Sequence, residues 1–264
     1  MEKPFFSIIV AAYNAAAYIR KTIESVLCQS FTDFEIVVKD AASTDATLAE
    51  IPKDDRIRVY SEKDSGIYDG MNAGISYATG KYLLFLNCGD YLASDGVLSA
   101  VYEIAKDKDE KKTVVYGDYT RRGVHFKSPS NLTPFYLYRT PLCHQTVFFG
   151  SGVFANEKYD TTYKIFADYD LTLKTFFGGF AYVYAPVAVS DYMGGGVSES
   201  KEGTEKRKKE RERALKTHFS KKQLRRYKRK LFFSFPKLRQ RLISDNAPAW
   251  VRKLYRKLVN RVNH

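Results

Sequence analysis

The chain has 264 residues, 44% hydrophobic and 15% aromatic, with a formal net charge of +13. That length and apolar content exclude a disordered chain and fit one large domain with an appendage. Three cysteines, Cys28, Cys88 and Cys143, exclude a disulfide framework or a Cys-rich zinc site and suit a reducing compartment. The charge is uneven: residues 201–264 carry 23 Lys and Arg against 5 acids, whereas residues 1–200 carry 20 against 25. No run of about 18 apolar residues occurs and the opening MEKPFFSIIV lacks a signal-peptide pattern, so a cytoplasmic protein is expected.

Short blocks rich in β-branched and aromatic residues predict strands at 5–13, 34–40, 57–62 and 81–87. They are apolar on both faces, as buried parallel strands are. Helical stretches at 15–28, about 44–51 and 67–79 lie between them, which predicts right-handed βαβ units and a parallel sheet. Further on, the pattern predicts a helix at 95–106, a strand at 112–119, an irregular segment at 119–150 with prolines at 129, 134 and 141, a helix at 167–177, and a last strand pair interrupted by Pro186. Three glycines, Gly194–Gly196, follow, and the composition changes beyond Ser198. The expected division is a body over 1–198 and a basic helical tail over 199–264.

Polar residues gather where the strands end: Tyr13 and Asn14, Asp40, Glu62 and Asp64, then Asn87 and Asp90. In a parallel sheet these ends form one rim, the usual place for a ligand. Both common glycine-rich phosphate cradles are missing, so a nucleotide here needs a divalent cation to offset its phosphate charge. DAASTDAT (40–47) reads as a helix start capped by Ser43 or Thr44. That reading leaves Asp40, at the mouth of a buried strand, open to a ligand role.

Taken in order, SIIVAAYN, VVKDAASTDAT, EKDSGIYDGMNAGISYATGKYLLFLNCGD, CHQTVFF and ADYDLTL resemble family-2 glycosyltransferases of the GT-A fold, of the bacterial surface-polysaccharide type. The resemblance covers about residues 5–198. It implies an α/β nucleotide-diphospho-sugar transferase fold with a mostly parallel central sheet flanked by helices. On the donor side it implies Ala12, Tyr13 and Asn14 near base and ribose, Asp40 on the base, and Gly66, Asp69, Asn72 and Asn87 near the donor. NCGD (87–90) occupies the place of the family's Asp-x-Asp motif, with Asn87 and Gly89 where acids often stand, so Asp90 alone is left to hold Mg2+ or Mn2+. The resemblance implies Asp168 as the catalytic base, with Asp170 beside it, and His144 and Gln145 on the acceptor side. Both aspartates also suit the start of a helix, as dipole partners or caps.

The function this implies is metal-dependent, inverting transfer of a sugar from a nucleotide-diphospho-sugar, a UDP-sugar by preference, to a glycan or polyprenyl-linked acceptor. A binding module without turnover is the alternative. In the tail, basic clusters surround aromatics, LFFSF (231–235) and Trp250 among them, and Val251, Leu254, Tyr255, Leu258, Val259 and Val262 trace a helical stripe. Such a face suits an anionic membrane surface and peripheral association with the inner face of the cell membrane, ahead of packing on the protein or a second subunit and well ahead of nucleic acid. The sequence leaves a homo-oligomer open.

Overall fold

The computed structural model describes residues 3–192 and 203–233. The expected boundary at residue 198, Gly194–Gly196 and the stripe from Val251 to Val262 lie outside the described residues. Compact units divide between Arg211 and Glu212.

In the first unit nine strands form one sheet among the described residues. They are β1 (Phe6–Ala12), β2 (Phe34–Asp40), β3 (Ile57–Ser61), β4 (Tyr82–Asn87), β5 (Tyr91–Leu92), β6 (Thr113–Arg121), β7 (Val124–Phe126), β8 (Val147–Gly150) and β9 (Ala181–Asp191). Their order is β3-β2-β1-β4-β8-β6-β9-β5, with β7 added to β6. The first four are mutually parallel, which brings Ala12 level with Asp40, Asp40 with Ser61, and Ala11 with Asn87 at one rim. Beyond β4 the sheet is mixed: β8 is antiparallel to β4 and β6, while β6 and β9 are parallel. Because β8 runs against β4, the turn that leads into β8 comes beside the carboxyl end of β4.

Helices α1 (Ile19–Leu27), α2 (Ile67–Tyr77), α3 (Val97–Ala105), α4 (Pro134–Arg139) and α5 (Ala167–Phe177) complete the body. The core joins Phe6, Ile8 and Val10 of β1 to Ile36 and Val38 of β2, Leu84 and Leu86 of β4, Ile19, Ile23 and Val26 of α1, and Leu98 and Val101 of α3. The run of fully buried residues in β2 matches a strand covered on both faces, whereas β3 sits at the sheet edge and is half exposed.

Two expectations change. The helix expected over 44–51 is only a short 3-10 turn at Leu48–Glu50, because the Ser, Thr and Asp side chains before it are caught in local hydrogen bonds that compete with helix. The last strand pair is a single strand, β9, that passes through Pro186. The register slips there from Tyr116↔Tyr184 to Asp118↔Ala188, so the missing proline N–H falls in a bulge.

Helix α6 (Gly203–His218) crosses the division between the units, and α7 (Lys221–Phe233) belongs to the second. Ser220 caps α7 reciprocally: its Oγ accepts from Gln223 N at 3.2 Å and its N–H donates to Gln223 Oε1 at 2.9 Å. The helix is strongly basic, with Phe232 exposed near its end.

Candidate active site

The ends of β1 and β2 are laced together by side chains of their own loops. Asn14 N donates to Ser43 Oγ at 2.8 Å, and Asn14 Oδ1 accepts from Thr44 N at 2.9 Å. Ala15 N donates to Thr47 Oγ1 at 2.7 Å and Ala16 N to Asp45 at 3.2 Å. Asn14 and Ala42 adopt left-handed backbone, with φ of 46° and 57°. Asp40 is fully buried and accepts from Ser43 N at 3.0 Å, Ser61 Oγ at 2.6 Å and Ser43 Oγ. Burial pushes its carboxyl up, but the hydrogen bonds from Ser43 and Ser61, with Lys39 nearby, outweigh it and hold the group below its ordinary value. Ala12 is buried, whereas the Tyr13 ring is 64% exposed, open to stacking from solvent.

Lys39 was not singled out in the sequence, yet it is 1% exposed at the end of β2. Its ammonium donates to the carbonyls of Asp40 at 2.8 Å and Glu62 at 2.6 Å and lies 3.6 Å from Asp64. A buried cation needs such partners. Here it pins the segment after β3 against the end of β2. That segment leads to Gly66, whose φ of 137° favours glycine and which opens α2. Asp69 accepts from Ser65 N and Oγ, both at 2.9 Å. Asn72 pairs with the backbone of Tyr159, donating to its carbonyl and accepting from its N–H at 2.9 Å each. The two share a helix face, with Asp69 engaged at the rim and Asn72 tying α2 to the segment before α5.

The NCGD stretch is a turn that also delivers a carboxylate inward. Asp90 N donates to Asn87 O at 3.0 Å, and Gly89 holds φ at 102°, which a side chain would disfavour. Asp90 is buried and its Oδ2 accepts from Gln145 Nε2 at 2.7 Å. Asn87 Nδ2 lies 3.0 Å from His144 Nε2, and Asn87 Oδ1 is a buried acceptor with no hydrogen-bond partner. The residues fit a hard cation sparingly. One carboxylate and one orphaned amide oxygen share a turn, oxygen chemistry suits Mg2+ or Mn2+, and a donor's phosphates would have to fill the shell. No group of three His, Cys, Asp or Glu suited to a metal occurs among the described residues.

His144 and Gln145 occupy a 3-10 turn, His144–Thr146, just ahead of β8. His144 Nδ1 stands 3.4 Å from Asp168 Oδ2. Asp168 and Asp170 lie in the first turn of α5, where the helix dipole favours negative charge. Asp168 Oδ1 accepts from Tyr169 N at 2.8 Å and lies 3.2 Å from the Tyr68 hydroxyl, whose one proton is shared with the nearer Ile165 O at 2.7 Å. Burial, and then the Asp168 carboxylate, push the Tyr68 phenol well above its ordinary range, so it stays a donor. Asp170 is fixed by its own N–H, which donates to Phe166 O at 2.9 Å. The structure thus brings Asn87, Asp90, His144, Gln145 and Asp168 together and adds Tyr68, which the sequence carried inside a quoted motif without a role. Another residue had no signal: Glu210 of α6, nearly buried in a charge-dense stretch, accepts from the backbone N–H of Lys164, Ile165 and Phe166 at 3.0, 2.9 and 3.1 Å, just ahead of α5.

The sequence pattern of glycosyl transferase family 2 matches residues 7–166. A PGL/p-HBAD biosynthesis glycosyltransferase of Mycobacterium bovis BCG is 34% identical over 201 residues, spanning 73% of this chain and 75% of that protein. Chondroitin synthase of Pasteurella multocida is 38% identical over 109 residues, 40% of this chain and 11% of that one. Among solved structures, S. aureus TarS 1-349 in complex with UDP-GlcNAc is similar at a TM-score of 0.63 and 17% identity, covering 99% of this chain and 80% of that one. The mannosyltransferase PcManGT from Pyrobaculum calidifontis, solved with GDP-Man and Mn2+, is similar at 0.57 and 15%, covering 100% and 74%. At these identities the two structures bear on the fold, which is GT-A.

Proposed function

The chain belongs to glycosyl transferase family 2, and on that premise we propose that it transfers a sugar, with inversion, from a nucleotide-diphospho-sugar to a glycan or lipid-linked acceptor in surface polysaccharide synthesis. The observation that carries the reading is the meeting of Asp168 with the end of β4: a half-buried carboxylate on α5 reaches His144, which reaches Asn87 beside Asp90. Asp168 takes the proton of the acceptor hydroxyl as that oxygen attacks the anomeric carbon, while Tyr68 and the Tyr169 N–H hold its other oxygen. The exposed Tyr13 ring and the loops locked by Asn14, Asp40 and Ser43 suit a nucleobase and ribose, with Gly66 and Asp69 along the same rim. UDP is favoured as the carrier by the similarity to TarS, which was solved with UDP-GlcNAc. Asp90 and Asn87 Oδ1 would hold Mg2+ or Mn2+, which when bound stabilises the leaving diphosphate.

No helix of the described residues is long and apolar enough to cross a membrane. We assign the basic C-terminal segment, α7 and beyond, to the anionic inner surface of the cell membrane, where a lipid-linked acceptor would be met. The engagement of Asp90 by Gln145 favours a second reading, a nucleotide-sugar-binding module with little turnover. Incubating the protein with a panel of nucleotide-sugars, with Mg2+, Mn2+ or chelator, decides between them. Transfer or slow hydrolysis of one donor with an inverted anomer is expected; metal-dependent nucleotide binding with no turnover across the panel would leave the module.

A further inference from the structure

The side chains of two consecutive residues each stand beside a carboxylate at the end of β4 and the start of α5. A 3-10 turn advances about 120° per residue, so neighbouring side chains point apart and one short turn can serve two elements. His144 faces Asp168 on α5, and Gln145 faces Asp90 after β4. We propose that His144 and Gln145 form a positioning dyad, in which His144 presents its Nδ1 proton to Asp168 and so aims the base, while Gln145 independently aims Asp90. The proposal rests on the reading of Asp168 as the base.

Each member is oriented from behind. The Gln145 amide is set by Cys143, whose thiol donates to Oε1 at 3.0 Å and leaves Nε2 for Asp90 at 2.7 Å. Burial pushes the Cys143 thiol up to about 12, so it remains a donor rather than a thiolate. The turn is closed by Thr146, whose N–H and hydroxyl both donate to Cys143 O, at 3.0 and 2.8 Å. His144 is set by Asn87. With the amide nitrogen facing the ring at 3.0 Å, Nε2 is the accepting nitrogen, which leaves Nδ1 to carry the ring proton toward Asp168.

A carboxylate offers about four lone-pair positions. Around Asp168 the Tyr169 N–H and the Tyr68 hydroxyl lie against Oδ1, whereas His144 Nδ1 stands 3.4 Å from Oδ2 without an aligned hydrogen bond. Oδ2 is thus the oxygen left for the acceptor hydroxyl. His144 is therefore a positioning residue, and its loss should lower turnover without weakening the donor.

The two ring nitrogens can be tested separately in the full chain. An Asn amide nitrogen reaches about where Nδ1 stands, and a Gln amide nitrogen about where Nε2 stands. His144→Asn, which keeps the contact to Asp168, should retain kcat to within about 3-fold, whereas His144→Gln should lose about 10–100-fold, the usual cost of removing an orienting partner, with donor Kd unchanged in both. Gln145→Leu should show the opposite split, a weaker donor Kd with Mn2+ present and a smaller loss of kcat. Equal losses in the two His144 variants, or a loss that appears in donor Kd, would overturn the proposal. The 15N shifts of the His144 ring in the wild-type chain give a readout that needs no variant: protonated Nδ1 and bare Nε2 are expected, and the reverse tautomer contradicts it. Asp168→Asn is measured alongside; if it still transfers sugar, the base reading fails, whereas a dead Asp168→Asn with equal His144 variants sinks only the dyad.

Discussion

At the ends of β1 and β2, Asn14, Asp40 and Asp45 are held by hydroxyls and amides of two short neighbouring loops and, for Asp40, by Ser61 at the end of β3. Asp90 and Asp168 meet partners from distant parts of the chain instead, Asp90 accepting from Gln145 and Asp168 lying against Tyr68 with His144 3.4 Å away. The rim proposed for the donor is built by the first three parallel strands and the loops that follow them, since Ser61 of β3 also holds Asp40. The end proposed to be catalytic exists only once β8 has entered the sheet against β4 and α5 has docked. Changes at the rim should therefore register in stability and donor affinity, and changes around Asp168 in turnover.

Asp40→Ala should break the rim most severely. It strands Ser43 and Ser61 beside a buried gap, and a loss of about 3 kcal/mol in urea unfolding is expected for a buried, charged hydrogen-bonding hub, with donor Kd raised. Glu210→Ala tests the other end. Three backbone N–H groups lose their acceptor just before α5, at a cost of about 2 kcal/mol. Here kcat should fall while donor Kd stays put; a change confined to Kd would erase the contrast between the regions.

Acid should act on the rim in a defined direction. Because the folded state holds the Asp40 carboxyl below its ordinary 3.8, its contribution is complete above about pH 4 and is lost as the pH falls through the depressed value. Unfolding experiments between pH 6 and 3 should show this loss in the wild type and less of it in a Ser43→Ala, Ser61→Ala double variant. The smallest effect expected is a gain. Ala42 has a φ of 57°, so Ala42→Gly should stabilise by roughly 0.5 kcal/mol, the strain relieved less the added chain entropy.

The same contrast explains what could be read in the sequence. Strands β1, β2 and β4 and helix α2 were legible because their apolar runs and spacing are local signals, and the rim followed because parallel strands end together. Asp90, Asp168, His144 and Gln145 were marked by their motifs, but nothing in their spacing said that His144 would meet Asp168 or Gln145 would meet Asp90. That depends on the antiparallel pairing of Tyr82–Leu84 with Phe148–Gly150. Lys39 was hidden because a charged residue in an apolar strand reads as an exception, and its acceptors are backbone carbonyls, which carry no residue identity. Glu210 was hidden by its neighbours, since an acid among lysines and arginines reads as a surface ion pair.

The proposed mechanism makes Asp168 the base and leaves donor binding at the rim independent of it. Transfer by Asp168→Asn, assayed with the donor that the panel identifies and beside a measurement of donor Kd, tests it most directly. A fall in kcat of about 10^2- to 10^4-fold at unchanged donor Kd is expected for removal of a general base. Transfer near the wild-type rate would contradict the account.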